Sequence, residues 1–366
     1  MSIDRIRMRN RLCFDIWNEF SKTPYQTKFD GRNGTKGKYV EVFINGDYNG
    51  LYCLTDKINR ELLNLRSPSI ENDSVCKIRG VMYKGYRWQD VDGEKTDIHL
   101  LYYKEDKTDS RTWNAWELQH PEDYPSSETW QPLMDLIDFC SDMTSTTAFN
   151  NEWQTYFDPT NLADYMVFTL ALNVGDNAYK NTYLSTRDIT IGHQYIITPW
   201  DMDMSLGGYW DGSYDESLTD IHRYDRIAPY NRLFTHNIDG FYDMVKDKWE
   251  MLRYDVFSTK HVFELMDSYA KQFVESGAWE RECKRWSGNP VPLKETINDE
   301  IDYVKNWYIM NFNSLNNQFA TSGISLQNSI NTDNEIYSID GRRLYKKKSE
   351  LSKGIYIVNG RKFIVK

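Results

Sequence analysis

The stretch Asp158–Asp203, DPTNLADYMVFTLALNVGDNAYKNTYLSTRDITIGHQYIITPWDMD, decides the fold of this chain. It opens with Asp158-Pro159, a helix N-cap acceptor followed by proline at the first helical position. Apolar residues then recur at helical spacing, which predicts a helix. Gly175 is expected to end that helix, because glycine adopts the left-handed conformation at helix C-termini.

Polar side chains come at the ends of the elements that follow. Asp176 stands directly after the predicted helix, and Asn181 follows five residues later. Residues 181–185 and 194–198 read as two short strands, which predicts a hairpin. Asp201 comes three residues after the end of the second strand. Phosphoryl transfer needs an acceptor for the hydroxyl proton and ligands for a metal ion, and this order of residues supplies both.

The segment Trp200-Asp201-Met202-Asp203 strengthens the metal interpretation. Two carboxylates at i and i+2 of an extended segment point to the same side. Like charges held so close are costly without a cation beside them. The pattern alone leaves other interpretations open: Asp176 and Asn181 as capping and turn residues, and the two carboxylates as solvated groups of a surface turn.

The bulk composition limits the function. The chain has 366 residues, of which 40% are hydrophobic, enough for one large or two modest domains with a core. The net charge of −10 argues against a nucleic-acid partner. Any phosphate site must therefore be locally basic. Aromatic residues make up 15% of the chain, which suits either a core or a surface that binds a glycan or peptide.

The cysteines and the apolar runs exclude further classes. The five cysteines contain no Cys-x-x-Cys pair, so neither a disulfide framework nor a zinc site is expected. No apolar run is long enough for a transmembrane segment. The first twenty residues lack the apolar core of a signal peptide. The protein is therefore either cytoplasmic or an exported protein whose leader is missing from this sequence.

The rest of the chain predicts an α+β protein with a small tail. Residues 39–55 read as a hairpin that turns at Asn45-Gly46. The other segments are a helix at 9–20, mixed strands at 72–104, helices from about 128, and helices at 241–276 and 297–319.

The tail begins after a polar, turn-rich boundary at 320–333. Two further hairpins are expected beyond it, around Asp340-Gly341 and Asn359-Gly360. They form a small β-hairpin appendage rather than a continuation of the core.

Several segments resemble the CotH kinase family, the spore coat protein H group of atypical protein kinases. They are RNRL, VEVFINGDYNGLYCLTDKINRELL, VMYKG, WELQHPED, FDPTNLADYMVFTLALNVGDNAYKNTYL and TPWDMDMSLGG. The resemblance covers roughly residues 5–320. It implies an atypical protein-kinase-like fold, with a CotH kinase-like domain at 1–322 and a small β tail at 323–366.

The resemblance also implies roles for the residues of the first stretch. Asp176 would be the catalytic-loop aspartate. Asn181 would be one metal ligand and Asp201 the other, with Asp203 as the competing candidate. The expected cofactors are ATP and Mg²⁺ or Mn²⁺, and the expected substrate is a protein phosphorylated on Ser or Thr.

The phosphate-binding side of the site is less constrained by the sequence. Lys84, in VMYKG, resembles the phosphate-binding lysine of kinases, with Lys77 and Lys57 as fallbacks. Glu117 is a candidate partner for that lysine. The alternative for each lysine is a solvated surface side chain.

Three functions follow from these observations. The first is the phosphotransferase, and the second is a catalytically inactive kinase fold that binds a glycan or surface partner. The third, a carboxylate hydrolase using Asp201 and Asp203, is ranked last, because glycosidase carboxylates usually come from different elements about 5 Å or more apart.

Family members carry strand material before the RNRL helix. Its absence predicts an N-terminally truncated domain with an incomplete nucleotide lobe.

The C-terminal hairpins resemble the sorting tails of exported Bacteroidetes proteins. The matching segments are IYSIDGRRLY and KGIYIVNGRKFIVK. This resemblance implies a secreted or cell-surface protein, located outside the cell or in its envelope. A cytoplasmic location stays open.

Overall fold

The computed structural model describes residues 3–365 with gaps. The gaps are at 73, 87–88, 92–93, 97–109, 114, 142–143, 179, 193, 225–226, 327–335, 339–342, 345–350 and 359–360. Contacts divide the chain into two units, Met1–Asn316 and Asn317–Lys366.

The elements confirm the predicted α+β class. The helices are α1 Arg9–Phe20, α2 Ser127–Cys140, α3 Thr146–Tyr156, α4 Pro159–Leu172, α5 Tyr230–Leu233, α6 Phe241–Leu252, α7 Thr259–Glu275, α8 Ala278–Arg285 and α9 Ile297–Leu326. The strands of the first unit are β1 Gly37–Ile44, β2 Asp47–Thr55, β3 Ser69–Glu71, β4 Ser74–Lys77, β5 Val81–Gly85, β6 Gln89–Val91, β7 Glu94–Thr96, β8 Thr112–Trp113, β9 Trp116–His120, β10 Thr182–Thr186 and β11 Ile196–Pro199. Those of the second unit are β12 Ile336–Ser338, β13 Arg343–Leu344, β14 Gly354–Val358 and β15 Arg361–Val365.

A five-stranded antiparallel sheet forms the centre of the first unit. Its strand order is β11-β10-β5-β9-β8. Strand β5 lies in the middle, and its Lys84 is opposite Tyr183 of β10 on one side and Glu117 of β9 on the other. Side chains directly opposite one another in a ladder share a face of the sheet. These three side chains therefore lie together on one face.

The two faces of this sheet are covered by different segments. On one face, the ring of Tyr83 stacks on Trp130 of α2 at 5.5 Å, and its hydroxyl donates to the Thr129 carbonyl at 2.7 Å. On the other face, Met82 and Tyr183 belong to an apolar cluster with Ile58, Leu63, Leu65 and Ile196. The second face is the one that carries Lys84.

Helix α4 is the buried centre of the helical part. The Asp158 side chain accepts a hydrogen bond from the Asn161 amide at 2.7 Å, as an N-cap should. The helix ends at Leu172 because Asn173 adopts a left-handed conformation with φ of 47°. The prediction that Gly175 ends the helix is therefore wrong by two residues. Asparagine tolerates this conformation nearly as well as glycine does.

The predicted N-terminal elements are confirmed. Helix α1 matches residues 9–20, and β1 and β2 form the predicted hairpin with positive φ at Asn45 (53°) and Gly46 (91°). The hairpin contacts α8, which the sequence did not predict, and the Glu282 carboxylate accepts from the Leu51 amide at 2.7 Å. The helical prediction for 241–276 is confirmed, and Ser258, which caps a new helix, divides the segment into α6 and α7.

Other predicted strands are confirmed where the structure describes them. In the region 72–104, β4 and β5 match the predicted strands, and the HLLYYK segment lies outside the described residues. The second unit contains a four-stranded antiparallel sheet of order β13-β12-β14-β15. Its strands match the two predicted tail hairpins, whose turn dipeptides lie outside the described residues. Within the described part of the chain, every helix is too short or too polar to cross a membrane.

Candidate active site

Asn181 and Asp201 lie at the same end of the central sheet. Asn181 directly precedes β10, and the Trp200 amide donates to its carbonyl at 2.9 Å. Asp201 is the next residue along from Trp200. The Asn181 amide in turn donates to the Gly85 carbonyl at the end of β5, at 2.8 Å. The β10–β11 hairpin therefore brings together two residues that are twenty positions apart in the sequence.

The backbone at both residues is left-handed. The φ angle is 56° at Asn181 and 52° at Asp201. Asn and Asp adopt this region more readily than other non-glycine residues. The expectation that Asp201 and Asp203 lie on an extended segment is wrong, because the left-handed turn leaves Asp201 exposed and Asp203 half-buried. The Met202 amide is held by the Asn10 side chain at 2.7 Å, so the RNRL helix fixes this turn.

Asp176 occupies a short 3₁₀ turn just after α4. It is 8% exposed, and its Oδ2 lies 2.8 Å from Nζ of Lys180. The neighbouring backbone is tied to the segment that follows Asp203. The Gly175 amide donates to the Met204 carbonyl at 3.1 Å, and the Leu206 amide donates to the Leu172 carbonyl at 2.8 Å. Asp176 is thus held on the same rigid edge as Asp203.

Asn177 joins the segments of this site through hydrogen bonds. The sequence analysis did not predict this role. Its buried Nδ2 donates to the carbonyls of Asn181 and Trp200, both at 2.9 Å. Tyr165 of α4 donates to the Asn177 carbonyl at 2.6 Å. The Asn177 Oδ1 atom is buried and has no hydrogen-bond partner in the described structure. The sequence signal for this role is only an amide residue beside Asp176.

A cavity of about 640 Å³ opens in front of Asp176. Lys180 and Arg223 line it, together with the aromatic residues Tyr209 and Trp210. Trp210 is 63% exposed. The cavity is large enough to admit an amino-acid side chain with its flanking backbone. Lys180 and the aromatic pair are further residues that the sequence analysis missed.

Lys84 and Glu117 lie on the sheet near the same end. Lys84 is one residue from the end of β5, whose last residue Gly85 contacts Asn181. Its Nζ is 5.8 Å from the ring centroid of Tyr183, and its side chain is half-buried. Lys84 and Glu117 are direct neighbours in register but form no ion pair in the part of the chain that the structure describes. Lys84 therefore has no charged partner among the described residues.

The other two candidate lysines lie elsewhere. Lys77 is exposed at the end of β4, which belongs to a separate two-stranded sheet. Lys57 is exposed and lines a different cavity of about 370 Å³, together with Arg60 and His120. The fold therefore brings Lys84, and neither of its fallbacks, into the ladder that contains Asn181.

The chemistry of the donors fits Mg²⁺ or Mn²⁺. Amide and carboxylate oxygens are the ligands that these cations prefer, and Mg²⁺ commonly completes its shell with substrate phosphates. No three His, Cys, Asp or Glu side chains among the described residues form a metal site by themselves. A pair of protein ligands, such as Asn181 and Asp201, thus suits a metal that arrives with a nucleotide.

The carboxylates of this edge repel one another. Burial, together with the nearby negative charges of Asp201, Asp4 and Asp176, raises the pKa of Asp203 to about 7. A cation placed among these groups would relieve the repulsion. A bound positive charge would therefore stabilise this site, which supports the fit of a divalent ion.

This pKa predicts a pH dependence of stability. Because the folded protein binds the Asp203 proton more tightly than the unfolded chain does, the free energy of unfolding falls as pH rises from about 4 to about 7. Asp203→Asn removes the buried charge, so we expect it to stabilise the metal-free protein at pH 8 by about 1–3 kcal/mol. Urea unfolding at pH 5 and pH 8 measures this.

The control for this prediction is Asp215→Asn, which removes a half-buried carboxylate from the lining of the neighbouring cavity. It should leave the difference between the two pH values unchanged. Equal stability changes in both variants would show that the surroundings do not raise the pKa of Asp203.

Comparison with known proteins identifies one relationship. A family model described as CotH kinase protein matches residues 1–314. No curated protein matches the chain. The matched region contains every candidate site residue described above.

Proposed function

The chain belongs to the CotH kinase protein family, and on that premise we propose that it transfers the terminal phosphoryl group of ATP to a Ser or Thr hydroxyl of a protein. The observation that carries the proposal is the meeting of Asp176, Asn181 and Asp201 at the end of the sheet that also presents Lys84. Phosphoryl transfer needs positioning and charge stabilisation more than covalent chemistry, and this arrangement suits both.

Each residue has a defined part in the proposed reaction. Asn181 and Asp201 would hold Mg²⁺ or Mn²⁺ through their side-chain oxygens, and the bound metal would supply positive charge at the phosphates. Asp176 faces the cavity through which the substrate hydroxyl would enter, where it orients the hydroxyl and accepts its proton. Lys180 holds the Asp176 carboxylate in place at 2.8 Å.

Lys84 is the residue proposed to contact the phosphates. We expect Lys84→Met to lower the affinity for Mn–ATP by about tenfold or more, because a charge-assisted hydrogen bond is lost. Thermal unfolding with and without Mn–ATP measures the effect, since a ligand that binds the folded state raises the unfolding midpoint. The wild type should shift by about 2 °C or more and Lys84→Met by much less.

Two matched variants control this experiment. Lys77→Met and Lys57→Met remove the same charge from exposed positions away from the β10 ladder. Both should keep the wild-type shift. If Lys57→Met loses the shift and Lys84→Met retains it, the phosphates bind in the cavity beside Lys57 instead.

A second candidate function is a kinase fold that binds a surface partner or glycan without catalysis. It is favoured by the exposed aromatic pair Tyr209 and Trp210 at the mouth of the cavity, since exposed aromatic rings commonly contact sugars and peptides. In that case Trp210→Ala would abolish partner binding, whereas Asp176→Asn would leave it intact. We also propose an extracellular or envelope location, on the resemblance of the tail, which cell fractionation tests.

A further inference from the structure

Three arginines meet at the other end of the central sheet. We call Arg66, Arg79 and Arg187 the arginine cluster. The Arg66 amide donates to the Arg187 carbonyl at 3.1 Å, and the Gly80 amide donates to the Arg66 carbonyl at 3.0 Å. The Ile189 amide donates to the Arg79 carbonyl at 2.9 Å. Backbone hydrogen bonds thus join three separate chain segments, and each segment carries an arginine at the point of contact.

The charge of the arginine cluster is only partly compensated. Arg79 pairs with the buried carboxylate of Asp188 at 2.5 Å. Arg66 and Arg187 form no ion pair within the part of the chain that the structure describes. Burial lowers the pKa of Arg187 and the charge of Arg66 lowers it further, whereas the Asp188 carboxylate opposes this effect. Two positive charges therefore stand together on a protein whose net charge is −10.

Contacts with Phe29 and Asn64 hold the Arg187 side chain in place. Its guanidinium carbon lies 3.5 Å from the ring centroid of Phe29, and its Nη2 is 3.5 Å from Oδ1 of Asn64. A stacked, planar guanidinium loses little freedom when it forms hydrogen bonds. The arginine cluster is thus prepared for a ligand with several acceptor oxygens.

We infer that the arginine cluster binds a phosphomonoester, the side chain of a phosphoserine or phosphothreonine in the protein substrate. Such a group carries a charge of about −1.5 to −2 at pH 7 and three acceptor oxygens. It therefore matches the two uncompensated charges, whereas a single carboxylate would neutralise only one. Arginine forks also fit phosphate oxygens in a bidentate manner. The identity of the phosphopeptide rests on the proposed function, because that reaction produces it.

The distance from the arginine cluster to the proposed catalytic site suggests how a docked phosphate would act. Arg187 directly follows β10, and Asn181 directly precedes it. Six residues of extended strand span roughly 20 Å, a distance that a bound peptide covers with about six residues of its own. A phosphate already on the substrate would thus hold a new hydroxyl within reach of Asp176. The preferred substrates would carry several Ser or Thr residues, spaced by about six positions or more.

Direct binding tests this inference without catalysis. Three fluorescent peptides of identical length, differing only in serine, glutamate or phosphoserine at the centre, are titrated with the protein without nucleotide or metal. Fluorescence anisotropy should show the phosphoserine peptide binding at least about tenfold more tightly than the other two. Equal binding of all three, or of the glutamate and phosphoserine peptides, would overturn the assignment.

Matched variants locate the site. Arg187→Gln and the exposed Arg66→Gln should each weaken phosphoserine binding by about tenfold. Arg285→Gln is the control, because Arg285 also lies over an aromatic ring, with its guanidinium carbon 4.4 Å from the Trp286 ring centroid. This variant should bind the phosphoserine peptide as the wild type does. An equal loss in Arg285→Gln, or wild-type binding by Arg66→Gln and Arg187→Gln, would contradict the inference. Because Asp176→Asn should keep full binding, a failure of the proposed catalysis would not be mistaken for a failure here.

Discussion

Asp176→Asn is expected to lower kcat by about 10²–10⁴-fold, the usual contribution of a general base. The amide keeps the shape of the side chain but cannot accept the hydroxyl proton. Stability should change by less than about 1 kcal/mol, because the lost ion pair with Lys180 is partly exposed to solvent. Transfer of labelled phosphate from Mn–ATP to protein measures the rate, and the Mn–ATP affinity should stay unchanged.

Asp215→Asn is the matched control for this experiment. Asp215 lines the same cavity, but its carboxylate accepts from the Ser217 amide at 2.9 Å and plays no part in the proposed reaction. Its kcat should remain within about twofold of the wild type, since the change removes no catalytic group. If Asp176→Asn retained wild-type kcat, Asp176 would be only a turn residue.

Asp201→Asn is expected to weaken metal-dependent binding of ATP strongly. Replacing an anionic oxygen ligand by a neutral amide weakens a site that has few protein ligands. Asparagine tolerates the φ of 52° at this position, so the fold should not be strained by the change. Titration calorimetry with Mn–ATP should show an affinity reduced by at least about 10²-fold.

The rival ligand is tested by Asp203→Asn. Asp203 is half-buried, whereas Asp201 is exposed at the turn, where a metal that arrives with a nucleotide can reach it. We therefore expect Asp203→Asn to retain most of the Mn–ATP affinity. The opposite ranking of the two variants would transfer the ligand role to Asp203.

Local patterns were sufficient to predict the elements that carry the site. Asp158-Pro159 marks the start of α4, and Asn45-Gly46 marks the β1–β2 turn, because each residue type there satisfies a local backbone requirement. The positions of Asp176, Asn181 and Asp201 at the ends of these elements could be predicted for the same reason. Each lies at the end of a locally predictable element.

The details that depend on distant contacts were not predictable. The left-handed turn at Asp201 is fixed by Asn10, 192 residues from its hydrogen-bond partner Met202. Asn177 gains its role from the carbonyls of Asn181 and Trp200. No periodicity encodes such contacts. The place of Lys84 in the fold likewise needed the sheet register, which pairs it with Tyr183 of β10.

A crystal structure of the protein soaked with Mn²⁺ and a non-hydrolysable ATP analogue tests the central claim most directly. The account predicts one anomalous Mn²⁺ peak within roughly 2.5 Å of the Asn181 and Asp201 side-chain oxygens, a distance typical of oxygen ligation. It also predicts a phosphate oxygen within hydrogen-bond reach of Lys84 Nζ and the terminal phosphate facing Asp176. A nucleotide bound elsewhere, such as beside Lys57, or an analogue with no metal at Asn181 and Asp201, would contradict it.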